Sequence, residues 1–341
     1  MTHTFHPVRN QEISPERFFS AINSYQVTEA IKSAIELEIF TAIREGNTTS
    51  EAISRRCHSS ERGTRILCDF LTIYDFLTKQ GTTYSLTAES ALFLDRHSPA
   101  YVGSAIEFLL TPRLRECHAH LTEAVRRGGT ALGEGMLDPE NPDWVKFARG
   151  MMPMMRRPAE IIAAELRREG EAHKVLDVAA SHGMFGISVA RQNPAAQIYA
   201  SDWKNVLEVA QKNANAMGVG DRYHLIPGSA FETDFGNGYD LALITNLLHA
   251  FDTPACTKLM RKVHIALNAG GRAAIAEFVP NPDRLSPPVA AAFGLTMLAA
   301  TASGDAYTFT ELESIAKAAG FARVDLSPVE LGINRLVIAY R

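Results

Sequence analysis

Apolar residues in the first 110 positions recur every three or four residues, which is the spacing of helices that bury one face. Residues 26–44 and 60–79 each carry such a stripe, and between them a third helix begins near Thr48 or Thr49, whose hydroxyls suit an N-cap. Residues 81–87 then follow the pattern of a short hairpin. Three helices followed by a hairpin predict a winged-helix module.

Beyond residue 171 the pattern changes to short buried strands that alternate with helices. This alternation predicts a Rossmann-like α/β domain, in which helices cover both faces of a mostly parallel sheet. The last two of the predicted strands are expected to close the sheet as an antiparallel pair. The seven predicted strands are 174–179, 197–201, 223–226, 241–245, 273–278, 322–326 and 335–340.

Charge refines the interpretation of the N-terminal module. Its 110 residues hold ten lysines and arginines against thirteen acids, a net charge of −3. A DNA-reading winged helix needs a cationic face to displace counterions from phosphates, so this balance favours a packing or dimerisation module. We expect that domain over 1–110, connecting helices that contribute to a substrate pocket over 111–170, and the α/β domain over 171–341.

The composition of the whole chain excludes several classes of protein. Among 341 residues, 46% are hydrophobic and 21% are charged, as in ordinary globular proteins. The net charge of −4 gives no general attraction to nucleic acid or to an anionic membrane. The four cysteines form no CxxC pair, no stretch approaches a membrane span, and the polar first residues do not resemble a secretory signal. We therefore expect a cytoplasmic protein without a metal, nucleic-acid or membrane partner.

Candidate chemistry lies at the carboxyl ends of the predicted strands, where open α/β sheets bind ligands. The first strand ends at Asp177 and leads into a loop of small residues, and the second ends at Asp202, whose carboxylate can accept both hydroxyls of a ribose. An acid about 20 residues beyond such a loop is typical of a nucleoside site. The spacing leaves a dinucleotide and S-adenosylmethionine (SAM) both open. A GxGxxG dinucleotide loop is matched in part by Ser181, Gly183 and Gly186, without the first glycine.

From Val175 onward the sequence resembles the class I SAM-dependent methyltransferases. With the N-terminal module it resembles small-molecule O-methyltransferases of the caffeic-acid and hydroxyneurosporene type. The family's loop of an acid and alternating glycines falls on residues 177–183, and Ser229 stands where the family has the aspartate that meets the adenine amine. The resemblance implies SAM as cofactor and a homodimer formed through the N-terminal domain. The cofactor-binding residues that it implies are Asp177, Ala179, Ser181, Gly183, Asp202, Trp203, Gly228, Ser229, Ala230, Phe231 and Asn246.

A candidate general base follows the fourth strand of the domain. His249 lies in Leu-His-Ala-Phe, which is similar to the family's Leu-His-x-Trp/Phe motif around its catalytic histidine. Histidine suits this task because it can take a proton from a phenol near neutral pH. Glu277, at the end of the fifth strand, matches the family's acid that orients the histidine. The resemblance thus implies His249 and Glu277 as the catalytic pair.

An apolar slot for the methyl acceptor is implied by a second set of positions. Residues 144–155 are rich in sulfur and aromatic side chains, and the flexible, polarizable side chain of methionine suits the wall of a flat organic ligand. The same composition also suits ordinary core packing. Matched to the family, the acceptor contacts are Phe147, Met151, Met155, Phe293 and Met297.

One departure keeps other functions open. Ala306 stands where the family often has a second acid near the histidine, and Asp305 and Tyr307 are the neighbouring candidates to replace it. O-methylation of a small aromatic or polyketide-like molecule is the leading prediction. An N- or C-methyltransferase of the same fold is the first alternative, because an amine needs less help from a base. A ligand-responsive transcriptional regulator and an NAD-linked oxidoreductase are further alternatives.

Overall fold

The computed structural model describes residues 13–133, 141–329 and 331–341. The chain divides into two compact units, with the division between Gly103 and Ser104. The described residues of 104–170 belong to the same unit as the sheet. Within these ranges, no helix is long and apolar enough to cross a membrane.

The first unit consists of short helices and one hairpin. The predicted helix over 60–79 ends at Ile73, and residues 77–79 belong to the first strand of the hairpin. The predicted helix over 26–44 is two helices, because the chain turns at Glu38, whose φ of 58° is left-handed. Thr49 caps the next helix by accepting the Ala52 N–H, at 3.3 Å. The elements are α1 (Glu16–Asn23), α2 (Tyr25–Glu36), α3 (Ile39–Arg44), α4 (Ser50–Arg56), α5 (Glu61–Ile73), β1 (Leu77–Gln80), β2 (Thr83–Leu86) and α6 (Ala88–Phe93).

The second unit contains the sheet and the helices around it. Its helices are α7 (Ile106–Leu109), α8 (Pro112–Ala119), α9 (Leu121–Arg127), α10 (Asp143–Arg168), α11 (Met184–Gln192), α12 (Lys204–Ala216), α13 (Thr253–Ala266), α14 (Pro288–Ala300) and α15 (Phe309–Ala319). Its strands are β3 (Lys174–Val178), β4 (Gln197–Asp202), β5 (Tyr223–Pro227), β6 (Tyr239–Thr245), β7 (Leu267–Glu277), β8 (Arg323–Leu326) and β9 (Arg335–Tyr340).

The seven strands form one sheet in the order β5-β4-β3-β6-β7-β9-β8, and β9 runs antiparallel to both of its neighbours. The prediction of a mostly parallel sheet with an antiparallel closing pair is confirmed. Successive residues of a strand pack into different cores: Val175 lies in the core on one face, and Leu176 in the core on the other. Burial on both faces is typical of a parallel sheet that helices cover.

The strand order fixes where a ligand can bind. The chain proceeds outward from β3 through β4 to β5, and then returns to place β6 on the other side of β3. At such a reversal the loops that follow the two central strands separate and leave a crevice at their carboxyl ends. The loops after β3 and β6 are those that the sequence marks as candidates for binding and catalysis.

Candidate active site

The loop between β3 and α11 is made of small residues in an unusual conformation. Ala179, Ser181 and Gly183 have φ values of 53°, 51° and 76°, so every second residue of the loop is left-handed. Such angles favour glycine, and two of the three positions hold another residue. At Gly183 a Cβ would lie 2.7 Å from the Tyr223 hydroxyl, so a side chain would not fit there without a shift. Tight packing against Tyr223, on β5, therefore explains the glycine at 183.

Two carboxylates hold the loop in place. Asp177 is fully buried, and its Oδ2 accepts the Gly186 N–H at 3.1 Å. Asp202 accepts the Ser181 N–H at 2.8 Å and the Trp203 N–H at 2.7 Å. Burial raises the pKa of Asp177 to about 7 and that of Asp202 to about 6, because a charged carboxylate loses hydration in the interior.

The polar groups of this edge fit a nucleoside cofactor. Asp202 is partly exposed at the end of β4 beside the indole of Trp203, where a carboxylate can accept ribose hydroxyls and an indole can cover a purine. Within the described part of the chain, four buried side-chain oxygens here have no hydrogen-bond partner, although such groups are usually paired. The site thus has unused hydrogen-bonding capacity. These atoms are Asp177 Oδ1, Ser181 Oγ, Ser201 Oγ and Tyr223 Oη.

The turn after β5 is packed too closely for larger residues. Gly228 has a φ of 133°, and a Cβ at this position would overlap Thr233 Oγ1. The hydroxyl of Ser229 accepts the Phe231 N–H at 3.3 Å, and the Phe231 ring meets Phe251 edge-on at 4.8 Å. Ser229, Ala230 and Phe231 are all partly exposed, so this turn offers a hydroxyl and part of an aromatic ring at the carboxyl end of β5.

His249 is anchored by a single, nearly buried carboxylate. It lies in a short 3₁₀ turn, Leu248–Ala250, after β6, and its Nδ1 is 2.6 Å from Glu277 Oε2. The other carboxylate oxygen, Oε1, accepts the N–H groups of Leu247 and Leu248 at 2.8 and 2.7 Å. The Glu277 carboxylate thus binds both the imidazole and the backbone that carries it.

This arrangement assigns the protons of the imidazole. A carboxylate only accepts, so Nδ1 of His249 donates to Glu277 and Nε2 is left as the free acceptor in the neutral ring. Among the described residues Nε2 has no protein partner, and 13% of the His249 side chain is exposed. The histidine can therefore accept a proton from a molecule in the crevice.

Comparison with known protein families identifies the fold's relatives. The model of the O-methyltransferase domain matches residues 119–322, which is more than half of the chain, and that of the O-methyltransferase dimerisation domain matches residues 19–96. The chain belongs to the O-methyltransferase family. It is a SAM-dependent O-methyltransferase of the small-molecule type.

Individual relatives of this O-methyltransferase cover nearly its whole length. A crystallised Nostoc punctiforme protein, assigned as an O-methyltransferase, is 51% identical over 97% of this chain and 100% of its own, with a TM-score of 0.94. The 3-hydroxy-5-methyl-1-naphthoate 3-O-methyltransferase of Streptomyces sahachiroi is 25% identical over 87% of this chain and 86% of its own. Human N-acetylserotonin methyltransferase, solved with SAM, is 19% identical and covers 98% of this chain and 99% of its own. Its TM-score of 0.84 shows the same fold.

The predicted acceptor contacts of the O-methyltransferase lie on α10 and α14. Two of them reach the end of β6: Met155 Sδ is 3.9 Å from Asn246 Nδ2, and the Phe293 ring is 4.9 Å from that of His249. Met151 and Met297 are buried. Phe147 packs edge-on against Phe108 at 4.9 Å and against Trp144 at 5.9 Å. Phe293 is thus placed next to the candidate base and Met155 next to Asn246, whereas Phe147 belongs to an aromatic cluster between α7 and α10.

The segment before α15 of the O-methyltransferase provides no second acid for His249. Ala306 is buried, and the carboxylate of Asp305 accepts hydrogen bonds from Arg284 at 3.3 Å and from the Ala306 N–H at 2.8 Å. The Tyr307 hydroxyl donates to the Phe251 carbonyl at 2.6 Å. Both candidate replacements are therefore engaged elsewhere, and Glu277 is the carboxylate bound to the histidine.

Two further residues of the enzyme's site are not predicted by the sequence. Asn334 is 3% exposed and donates to Asn246 Oδ1 at 2.8 Å, from a position 88 residues further along the chain. Phe278 stacks on Phe293 with centroids 3.8 Å apart. An aromatic residue at the end of a strand and an asparagine before one are common core and turn residues, so no local signal separates them from their neighbours. No cluster of three or more potential metal ligands occurs in the described ranges.

Proposed function

We propose that the enzyme methylates a hydroxyl group of a small aromatic or polyketide-like molecule, with His249 as the general base. The observation that carries this proposal is the 2.6 Å contact of His249 Nδ1 with Glu277, which leaves Nε2 as the acceptor of a partly exposed neutral ring. Nε2 takes the proton of the acceptor hydroxyl while Glu277 stabilises the imidazolium that forms. SAM supplies a methyl group on a sulfonium, from which the activated oxygen displaces S-adenosylhomocysteine.

The cofactor-binding residues are proposed from their positions around the crevice. The backbone of 177–183 would lie against SAM, Asp202 would accept the ribose hydroxyls, and Trp203 would cover the adenine. The turn 228–231 would border the adenine, with the hydroxyl of Ser229 in place of a carboxylate. Asn246 directly follows β6, three residues before His249, and would contact the cofactor close to the acceptor.

The acceptor class is proposed from the apolar wall. Methionines at 151, 155 and 297 and aromatic rings at 147 and 293 suit a flat ligand, because unbranched thioethers adapt to its faces. Two relatives are named for such molecules: the naphthoate enzyme and an 8-O-methyltransferase of tetracenomycin polyketide synthesis in Streptomyces glaucescens, 26% identical over 89% of this chain and 90% of its own.

A homodimer through the N-terminal unit is the proposed assembly. The family's dimerisation domain spans 19–96, and helix α1 buries none of its residues within the chain. Phe19, Ile22 and Tyr25 are each more than half exposed. Apolar side chains in such a group are typical of a protein contact surface, and the negative balance of the unit does not suit nucleic acid.

The test of the base is a His249→Asn variant, which retains a polar side chain but cannot take a proton near neutral pH. Methyl transfer from radiolabelled SAM would be measured with a panel of hydroxynaphthoates and hydroxyanthraquinones. We expect kcat to fall by about 10²- to 10⁴-fold, the usual contribution of a general base. The dissociation constant of S-adenosylhomocysteine, measured by calorimetry, should stay unchanged.

His224→Asn is the matched control, because His224 lies on β5 and bonds Gln197 rather than Glu277. It should keep wild-type kcat. A His249→Asn enzyme with kcat within threefold of wild type would contradict the base role. Together with turnover of arylamines, that result would favour N-methylation. This is the second candidate function, and it is supported by Ala306 in place of a second acid.

A further inference from the structure

The rings of two phenylalanines, Phe278 and Phe293, pack together beside the imidazole of the candidate base. Phe278 and Phe293 are stacked, with centroids 3.8 Å apart and planes 14° from parallel. His249 is 4.9 Å from Phe293 and 6.1 Å from Phe278, with its plane at 84° and 72° to theirs. Phe278 directly follows Glu277 in the chain, so the end of β7 provides both the carboxylate that binds the imidazole and the ring behind Phe293.

The three distances define how Phe293 meets the histidine. They form a triangle with an angle of about 90° at Phe293. Since Phe278 lies over the face of Phe293, His249 lies beside the rim of Phe293, close to the plane of that ring. A contact between two rims would separate the centroids by about 6 Å at ordinary van der Waals distance. The observed 4.9 Å therefore places the rim of Phe293 against the face of the imidazole.

We propose that Phe278 and Phe293 form an aromatic clamp that holds the plane of the His249 imidazole. Glu277 fixes one atom of the ring, Nδ1, and still permits the ring to rotate out of its plane. The rim of Phe293 blocks that rotation on one face, and Phe278 prevents Phe293 from moving back. Nε2 then keeps one direction into the crevice. Phe278 and Phe293 are positioning residues, and the clamp rests on the proposed role of His249 as base.

A clamp and a simple acceptor wall predict different kinetics for a Phe293→Leu variant. Leucine is apolar and of moderate size, but it has no flat rim. If Phe293 holds the base, kcat falls by about 10- to 100-fold, as for a reacting group misplaced by about an ångström, whereas loss of an acceptor contact alone raises KM and leaves kcat unchanged. Phe278→Leu should lower kcat in the same direction and by less. Leu295→Ala, on an exposed side chain of the same helix, is the control and should not change kcat.

A second readout does not depend on turnover. In protein with ¹⁵N-labelled histidine, the His249 signals would be identified among the 11 histidines by their loss in His249→Asn. We expect one tautomer, with the proton on Nδ1, in the wild type, and a mixture of tautomers in Phe293→Leu. Thermal melts of each variant would confirm folding, and Phe278→Leu serves if Phe293→Leu does not fold.

The outcomes separate the clamp from the function on which it rests. A raised KM with unchanged kcat, or an unchanged single tautomer in both leucine variants, would overturn the clamp. A His249→Asn enzyme that keeps its turnover would overturn the general base, and the tautomer measurement would still decide whether the two phenylalanines hold the ring.

Discussion

Ala179 and Ser181 adopt left-handed backbone angles that glycine adopts at lower cost. The resemblance to alternating-glycine loops predicts a loop here. The positive φ angles at Ala179, Ser181 and Gly183 remain although two of the glycines are absent. Hydrogen bonds offset the conformational cost of these angles: Asp202 accepts from the Ser181 N–H, and Asp177 accepts from the Gly186 N–H. The loop is therefore strained, and the two buried carboxylates hold it in this conformation.

This strain makes Ala179→Gly a stabilising substitution. We expect the free energy of unfolding, measured by urea titration, to rise by about 0.5–1 kcal/mol, since the gain from relieving a positive φ exceeds the added chain entropy. Ala292→Gly is the matched control: Ala292 is exposed within α14, where the same change should lower the free energy of unfolding by about 1 kcal/mol. Equal losses in the two variants would show that the loop is not strained.

Single residues were predictable where their chemistry is rare. A histidine and a glutamate at the carboxyl ends of two strands stand out in a sequence, and the structure brings His249 and Glu277 together. Phe278 has no such signal, because an aromatic residue after a buried strand is ordinary. Its relation to His249 passes through Phe293, on α14, and only the packed structure reveals it.

Among the elements, the turn before β9 is tied to the loop after β6. Asn246 has a φ of 53°, and its side-chain oxygen accepts from Asn334. Its amide nitrogen is thereby directed to Met155, on α10. Three elements that are distant in the sequence thus meet at one side chain, between the proposed cofactor and acceptor regions.

A double-mutant cycle tests whether Asn334 acts through Asn246. We expect Asn334→Ala to reduce kcat/KM with a cost of about 1 kcal/mol, the usual value of one hydrogen bond. In an Asn246→Ala background the same change should have almost no further effect, because the partner is already lost. Asn237→Ala, a loop residue whose backbone carbonyl rather than its side chain is bonded to Lys174, is the control. Additive losses in the double variant would contradict the link.

Element types were easier to predict than their ends. The apolar stripe over 26–44 continues through the break at Glu38, since Ile35 before it and Ile39 after it are both buried. A stripe reports burial and not the hydrogen bonds of the backbone, so it cannot show this turn. The seven strands were predicted because runs of buried residues between helices have few other interpretations in an α/β protein.

At the scale of the whole molecule, the exposed apolar face of the first unit bears on assembly. A Phe19→Ser, Ile22→Ser double variant should shift the protein from dimer to monomer, because it removes two large apolar side chains from the proposed contact. The mass would be measured by light scattering after size exclusion at micromolar concentration. Ile265→Ser is the control, since Ile265 is also exposed but lies outside the dimerisation domain. Equal masses for wild type and double variant would contradict this interface.

The order of strands in the sheet has a consequence for the sequence of events in folding. Strand β8 pairs only with β9 among the described strands, and β9 is the strand that joins it to β7. As the ribosome delivers the chain, β8 emerges before any partner exists for it. Glu277 faces Arg335 across the β7–β9 pairing, and Asn334 directly precedes Arg335. Glu277, which binds His249, and Asn334, which binds Asn246, thus gain this support only when β9 joins the sheet. A nascent chain can therefore form the loop after β3 before the support of the histidine is complete.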